Sequence, residues 1–126
     1  MANRLPASVL LLEDEAIIAI DAEEMLAACG VSQVSTHGSE DAALAWLSTN
    51  TPDLAIIDAR LKDGLCSGVA GHLVERPILF IVYSGDMGGA AAEDGSFGKG
   101  VWLSKPCTPG QFEETIRQAM ASIPEA

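Results

Sequence analysis

The chain has 126 residues and a formal net charge of -11 at pH 7, with 18 acidic and 7 basic side chains. This length fits one domain of ordinary size. Proteins hold nucleic acids and anionic membrane surfaces through clustered Lys and Arg, and the basic residues here are few and scattered. The composition therefore argues against a nucleic-acid or membrane partner.

Cysteine usage and the N-terminal sequence indicate the compartment. Cys29, Cys66 and Cys107 are widely spaced, and neither His37 nor His72 completes a zinc-binding pattern with them. Reduced thiols in a cytosolic protein are the expected state. The N-terminus lacks the apolar core of a signal peptide, and no apolar run approaches the roughly 18 residues of a membrane span. We therefore expect a cytoplasmic protein.

Apolar runs and helix-periodic stretches alternate along the chain. The continuous apolar run 9–12 predicts a strand buried on both faces, whereas residues 15–29 repeat apolar side chains at helical spacing and stop at Gly30. Ser39 is a capping signal for the second helix, and Thr108 is part of a capping box that opens the last helix. In full, the sequence predicts strands over residues 9–12, 33–36, 54–57, 78–83 and 101–103, the second of them at a sheet edge.

The alternation of strands and helices predicts an α/β fold. It implies right-handed βαβ units and a flavodoxin-like, doubly wound, five-stranded parallel sheet of order 2-1-3-4-5. Segment 85–100 contains six glycines, and each interior glycine costs a helix roughly 0.5–1 kcal/mol relative to alanine. The fourth helix is therefore expected to be short or irregular.

Polar residues follow four of the predicted strands. Glu13 and Asp14 follow the first strand, Asp58 the third, Ser84 closes the fourth, and Lys105 lies just beyond the fifth. In a doubly wound sheet, ligands bind at the carboxyl ends of the strands, where the strand order reverses between strands 1 and 3. We therefore expect these side chains to meet at one edge of the sheet.

The three carboxylates predict a magnesium site. Like charges at short range cannot all stay ionised unaided, and Mg²⁺ prefers oxygen ligands. Asp14 and Asp58 are the candidate direct ligands, and Glu13 is expected to act through water. The alternative is that these are ordinary helix-capping or loop carboxylates.

Asp58 is the candidate nucleophile. An aspartate carboxylate can attack a phosphoryl group and form an acyl phosphate if nearby cations neutralise the developing charge. Lys105 could supply one such cation, and Ser84 could donate its hydroxyl to a phosphoryl oxygen. The alternatives are a solvated surface lysine and a turn-forming serine.

Four motifs in order, LLLEDE, IIDARLKDG, IVYSG and WLSKP, resemble the receiver domain of two-component response regulators. The resemblance covers nearly the whole chain. It implies that a histidine kinase or a histidine phosphotransfer protein donates a phosphoryl group from phosphohistidine to Asp58 in a Mg²⁺-dependent step. Ser84 and Lys105 would then sense the new charge. It also implies a phosphoacceptor signalling protein, with an unknown downstream protein as target, rather than an enzyme with a separate substrate.

The same resemblance implies further roles. Trp102 occupies the position of the family's switch aromatic, which turns inward when the hydroxyl residue moves toward the phosphoryl group. Arg60 and Asp86 flank the route of the hydrolytic water and are expected to tune the phosphoryl lifetime, and Arg60 should present its backbone carbonyl to the metal. The alternatives are plain packing for Trp102 and solvated loop charges for Arg60 and Asp86.

The sequence is expected to form a single receiver domain over residues 1–126, with no output domain. Its output would be partner binding, onward phosphotransfer or a phosphate sink. One alternative is a pseudo-receiver, a protein-binding module without phosphorylation, which would be expected to lose Asp58, Lys105 or the acidic pair. A haloacid-dehalogenase-type phosphatase would need an acid where Arg60 stands. A flavin or nucleotide carrier would need a phosphate-cradling loop where Glu13 and Asp14 stand.

Overall fold

A parallel sheet organises the fold. The computed structural model describes residues 5–58, 60–61, 64–85, 100–105 and 107–121. The strands in these ranges are β1 (Ser8–Leu12), β2 (Gln33–His37), β3 (Leu54–Ile57), β4 (Arg60–Leu61), β5 (Gly64–Leu65), β6 (Leu79–Ser84) and β7 (Val101–Ser104). The helices are α1 (Ala16–Cys29), α2 (Glu40–Leu47), α3 (Ser67–Glu75) and α4 (Pro109–Ala121).

The central sheet has the predicted strand order. Five strands lie in the order β2-β1-β3-β6-β7, and each neighbouring pair is parallel. The short strands β4 and β5 form a separate antiparallel hairpin after β3. With that hairpin set aside, this order is the predicted 2-1-3-4-5, and the predicted fold class is confirmed. The order reverses between β1 and β3, so a cleft forms beyond their carboxyl ends.

Two apolar cores flank the sheet because successive side chains of a strand point to opposite faces. Leu10, Leu12 and Ile57 contribute to the core beneath α2 and α3. Leu11 and Ile56 face the other way, into the core beneath α1 and α4. β1 is therefore apolar from Val9 onward and β3 is apolar at every position, whereas the more polar β2 lies at the edge, as predicted.

Capping residues set the helix ends where the sequence predicted them. Gly30 ends α1 at φ 98°, a left-handed conformation that favours glycine, and its N–H bonds to the carbonyl of Ala27. The Ser39 side chain accepts a hydrogen bond from the Ala42 N–H at the start of α2. Thr108 and Gln111 exchange reciprocal bonds of 3.1 and 2.9 Å before α4, which is the predicted capping box.

The prediction of an irregular fourth helix falls on residues 86–99, which lie outside the described residues. Within the described parts of the chain, no helix combines the length and apolar character needed to cross a membrane.

Candidate functional site

Backbone hydrogen bonds extend the ladder of the sheet past the strand ends and fix the predicted site residues. The Glu13 N–H donates to the carbonyl of His37 at 3.0 Å, and the Asp58 N–H donates to that of Leu12 at 2.9 Å. The Lys105 N–H donates to the carbonyl of Ser84 at 3.0 Å. Each residue therefore has a fixed backbone position relative to the neighbouring strand.

Four of the predicted residues come together in the cleft between β1 and β3. Carboxylate oxygens of Glu13, Asp14 and Asp58 all lie within 4.8 Å of one another. The Lys105 Nζ atom lies 2.6 Å from Oε1 of Glu13 and 2.9 Å from Oδ2 of Asp58. The structure thus brings the predicted acidic cluster and its counter-charge to one point.

Burial shapes the electrostatics of this cluster. The side chains of Glu13 and Lys105 are only 2% and 12% exposed. Burial raises the pKa of Glu13, although bonds from Lys105 and the Glu15 backbone oppose the effect. Burial alone would lower the pKa of Lys105, but its bonds to Glu13 and Asp58 outweigh burial and raise it. These contacts therefore favour the protonated, positively charged form of Lys105 in the metal-free site.

The donor set fits a hard divalent cation. Lys105 can compensate only one of the three carboxylates, so a divalent ion would balance the remainder. All three groups offer oxygen, which Mg²⁺ prefers. Oε1 of Glu13 accepts from Lys105, and its Oε2 accepts from the Glu15 N–H at 3.1 Å. Because both carboxylate oxygens of Glu13 already accept hydrogen bonds, contact of Glu13 with a metal is favoured through water. Asp14 is only half-buried, so its carboxylate is more accessible to an ion than that of Glu13.

Three of the remaining predicted residues lie on strands β4, β6 and β7. Ser84 ends β6 beside Ser104 and is 2% exposed. Trp102 pairs with Val82 across β6 and β7 and packs, partly buried, against the core beneath α2 and α3. The backbone of Arg60 begins β4. Asp86 lies outside the described residues, so its predicted part in phosphoryl lifetime stays a prediction.

Two contacts to the site were missed from the sequence. Tyr83 directly precedes Ser84, and the Lys105 Nζ atom lies 5.4 Å from the centre of its ring. The Sγ atom of Cys66 donates to the backbone carbonyl of Asp58 at 3.3 Å. The contact of Tyr83 with the site could have been suspected from its position, because it directly precedes Ser84 in β6. No sequence signal indicated the contact of Cys66, because the two-residue strands of the hairpin that brings it back to Asp58 are too short to show a period.

Sequence comparison finds a distant relative. No protein-family model matches the chain. The transcriptional regulatory protein PdtaR of Mycobacterium tuberculosis is 28% identical over 126 residues, and the match covers 96% of this chain and 60% of PdtaR. The chain thus spans about 60% of the length of the curated relatives it matches.

Structure comparison identifies the fold. A CheY-like receiver domain from Methylobacillus flagellatus is 26% identical with a TM-score of 0.72, covering 89% of this chain and 97% of that one. Chemotaxis response regulator CheY4 of Vibrio cholerae is 19% identical with a TM-score of 0.77, covering 90% and 98%. The receiver domain of a sensor histidine kinase from Pseudomonas aeruginosa, solved with magnesium in its active-site cleft, is 18% identical with a TM-score of 0.80, covering 92% and 98%.

These structures are all receiver domains, two from response regulators and one from a sensor histidine kinase. The chain therefore has the fold of the CheY-like receivers of two-component signalling, and the resemblance seen in its four motifs is confirmed.

Proposed function

We propose that the protein is a phosphoryl-accepting receiver whose acceptor is Asp58. The observation that carries the proposal is the position of Lys105, whose ammonium bridges Asp58 and Glu13 beside Asp14. A buried carboxylate with a fixed cation and two further acids beside it is suited to phosphoryl transfer, because charge compensation supplies most of the catalysis.

The transfer step would use the groups at the carboxyl ends of β3, β6 and β7. A carboxylate oxygen of Asp58 attacks phosphorus, the P–N bond of a phosphohistidine breaks, and the imidazole leaves with that electron pair. The Lys105 ammonium stabilises negative charge on the phosphoryl oxygens, and the Ser84 hydroxyl donates to one of them. Trp102 lies on β7, the strand beside that of Ser84. It is the proposed switch aromatic, whose ring would turn inward when the Ser84 hydroxyl moves toward the phosphoryl group.

A bound Mg²⁺ would be held by Asp14, Asp58 and the backbone carbonyl of Arg60, with Glu13 acting through water. When bound, it would neutralise charge on the transferring group. The oxygen-only cluster on this chain supports that assignment, and magnesium occupies the cleft of the Pseudomonas aeruginosa receiver. Arg60 and Asp86 are the proposed determinants of how long the acyl phosphate survives.

The proposed phosphodonor is a histidine kinase or a histidine phosphotransfer protein. Two large apolar side chains of α1, Ile17 and Ile20, are 83% and 54% exposed, and α1 begins two residues after Asp14. Exposed apolar groups beside a reactive site support a partner contact there. The output is proposed to reach a downstream protein through noncovalent binding or onward phosphotransfer.

Labelling with acetyl phosphate tests the proposal. In the presence of Mg²⁺ the protein should gain one phosphoryl group by intact mass, and the adduct should be stable in acid and labile in base. Asp58→Asn should abolish the gain, whereas Asp41→Asn, which removes an exposed acid in the first turn of α2, should leave it intact. A wild-type protein that takes no label at any Mg²⁺ concentration would overturn the proposal in favour of a pseudo-receiver.

A further inference from the structure

Tyr83 lies at the end of β6, between the candidate site and one of the two cores. It is 4% exposed and faces the core beneath α1 and α4. Its neighbour Ser84 follows at the strand end, so the two residues reach the site from opposite faces of the sheet. The aromatic ring therefore approaches the cleft from the side of α4.

Three contacts fix the ring of Tyr83. The Lys105 Nζ atom lies over the ring, 5.4 Å from its centre. The ring of Phe112, from α4, meets it edge to face at 5.8 Å and 72°. The thiol of Cys107 donates to the phenol oxygen at 3.7 Å. A buried ring that packs against Phe112 and is hydrogen-bonded at its hydroxyl has little freedom to turn away from Lys105.

The partners of Lys105 differ in what the proposed reaction would do to them. Glu13 and Asp58 are carboxylates that belong to the cluster suited to a metal, and Asp58 would also carry the phosphoryl group. The face of an aromatic ring attracts an ammonium through its quadrupole. That attraction neither competes for metal nor changes when Asp58 is modified. Tyr83 is thus the partner in this set that remains constant through the reaction.

We propose that Tyr83 is a positioning residue that holds the Lys105 ammonium at the site while the carboxylates engage metal and phosphoryl group. The inference rests on the proposed function and adds a residue to it. A ring that served only as core would affect global stability without changing the behaviour of Lys105. Measurements of how the effect of a Tyr83 substitution depends on Lys105 therefore distinguish a positioning role from core packing alone.

The first test is the rate of Asp58 labelling by acetyl phosphate at saturating Mg²⁺. Tyr83→Leu removes the ring face and should slow labelling by about 3- to 30-fold, the range expected for a lost cation–π contact. Tyr83→Phe retains the face and should stay within about twofold of wild type. Phe80→Leu is the matched control, because it removes a buried ring of the same strand that faces the opposite core. Labelling of Tyr83→Leu at the wild-type rate would overturn the inference and leave the proposed function standing.

The second test needs no phosphoryl transfer. A double-mutant cycle of Tyr83→Leu with Lys105→Met, followed by urea unfolding in metal-free buffer, should show coupling of about 2- to 30-fold in the unfolding equilibrium constant. The cycle of Phe80→Leu with Lys105→Met should be additive. If the wild-type protein takes no label, this cycle still decides the role of Tyr83, and additivity in the Tyr83 cycle would refute it.

A third probe covers the case in which Tyr83→Leu fails to fold. The chain contains a single tyrosine, so biosynthetic incorporation of 3-fluorotyrosine changes Tyr83 alone. Fluorine withdraws charge from the ring face with little change in shape, and should therefore weaken its hold on Lys105. The loss of stability should be larger with Lys105 present than in Lys105→Met. Equal losses in the two backgrounds would contradict the inference.

Discussion

The Lys105 Nζ atom lies 2.6 Å from Oε1 of Glu13, although 92 residues separate them in the chain. Glu13 follows β1, an interior strand of the sheet, and Lys105 follows β7, at its edge. Long-range ion pairs that are largely buried are costly to break, because the partner that remains is left as an unpaired charge. The stability of the metal-free protein should therefore depend on this contact.

Removing the ammonium should destabilise the metal-free protein. Lys105→Met removes the ammonium that contacts Glu13 and Asp58, and the free energy of unfolding should fall by up to about 3–5 kcal/mol. Adding Mg²⁺ should recover part of the loss, since the ion compensates the same carboxylates. Urea unfolding with and without Mg²⁺ measures both effects.

Arg117→Met provides the control for that measurement. Its pair with Glu113 is an i,i+4 contact at 2.7 Å with side chains that are 33% and 41% exposed. Such a partly exposed helix pair contributes about 0.3–0.5 kcal/mol. If Lys105→Met and Arg117→Met lowered the free energy of unfolding equally, burial would not make the Lys105 contacts more stabilising than an exposed ion pair.

The raised pKa of Glu13 predicts a pH dependence in metal-free buffer. Burial makes the folded state hold this proton more tightly than the unfolded state, whose reference pKa is 4.5. The contribution of Glu13 to stability is thus fully present below that value and is lost as pH rises through the higher folded-state pKa. The stability of wild type relative to Glu13→Gln should decline as pH rises above 4.5. Urea unfolding over this range tests the sign, and a constant difference would contradict it.

Two glycines of α3 should respond differently to alanine. A Cβ at Gly68 would lie 2.8 Å from Oε2 of Glu40, and that oxygen accepts a hydrogen bond from the Val69 N–H at 2.9 Å. At Gly71 the added Cβ would meet no atom within 4 Å beyond its chain neighbours and the adjacent helix backbone. Gly71→Ala should therefore stabilise the protein by about 0.8–1 kcal/mol, through helix propensity alone.

Gly68→Ala should gain much less, because it displaces the Glu40 carboxylate from α3 at a cost of about 1 kcal/mol. The helix-propensity gain should reappear in the Glu40→Ala background, where no carboxylate meets the new methyl group. Thermal or urea unfolding of the four variants would reveal this coupling. Full additivity between Gly68→Ala and Glu40→Ala would show that the contact carries no energy.

The hydrogen bond donated by the Cys66 thiol should contribute to stability and to the position of Asp58. It is fully buried and donates to the carbonyl of Asp58 at 3.3 Å. Cys66→Ala leaves that carbonyl without this donor and should cost about 1–3 kcal/mol. Cys66→Ser keeps a donor and should preserve the labelling rate of Asp58 better than Cys66→Ala does. Identical labelling rates for the two variants would show that this bond does not position Asp58.

The sheet could be predicted from the sequence because its strands are apolar runs that end in polar residues. Leu54–Ile57 is apolar at every position in the sequence and buried at every position in the structure, so its prediction as a buried strand is confirmed. The convergence of Asp14, Asp58 and Lys105 then follows from parallel topology. The roles assigned to these residues in phosphorylation stay predictions, and the labelling experiments address them.

Other parts of the site could not be predicted because they depend on side-chain placement or on very short elements. The hairpin of β4 and β5 consists of two-residue strands, which are too short to show a period. The contact between Tyr83 and Lys105 depends on the rotamers of two long side chains. The period of β6 indicates which face Tyr83 occupies, but not which residue from beyond β7 lies over its ring.

The placement of the ammonium after the last strand has a consequence for biosynthesis. Ribosomes make a chain from its N-terminus, so Glu13, Asp14 and Asp58 emerge well before Lys105. A nascent chain that ends at β6 has every acid of the cluster but lacks the cation that offsets them. Mutual repulsion then opposes closure of that edge until β7 joins the sheet, so the ion pairs of Lys105 are expected to form late in synthesis, shortly before α4 completes its core.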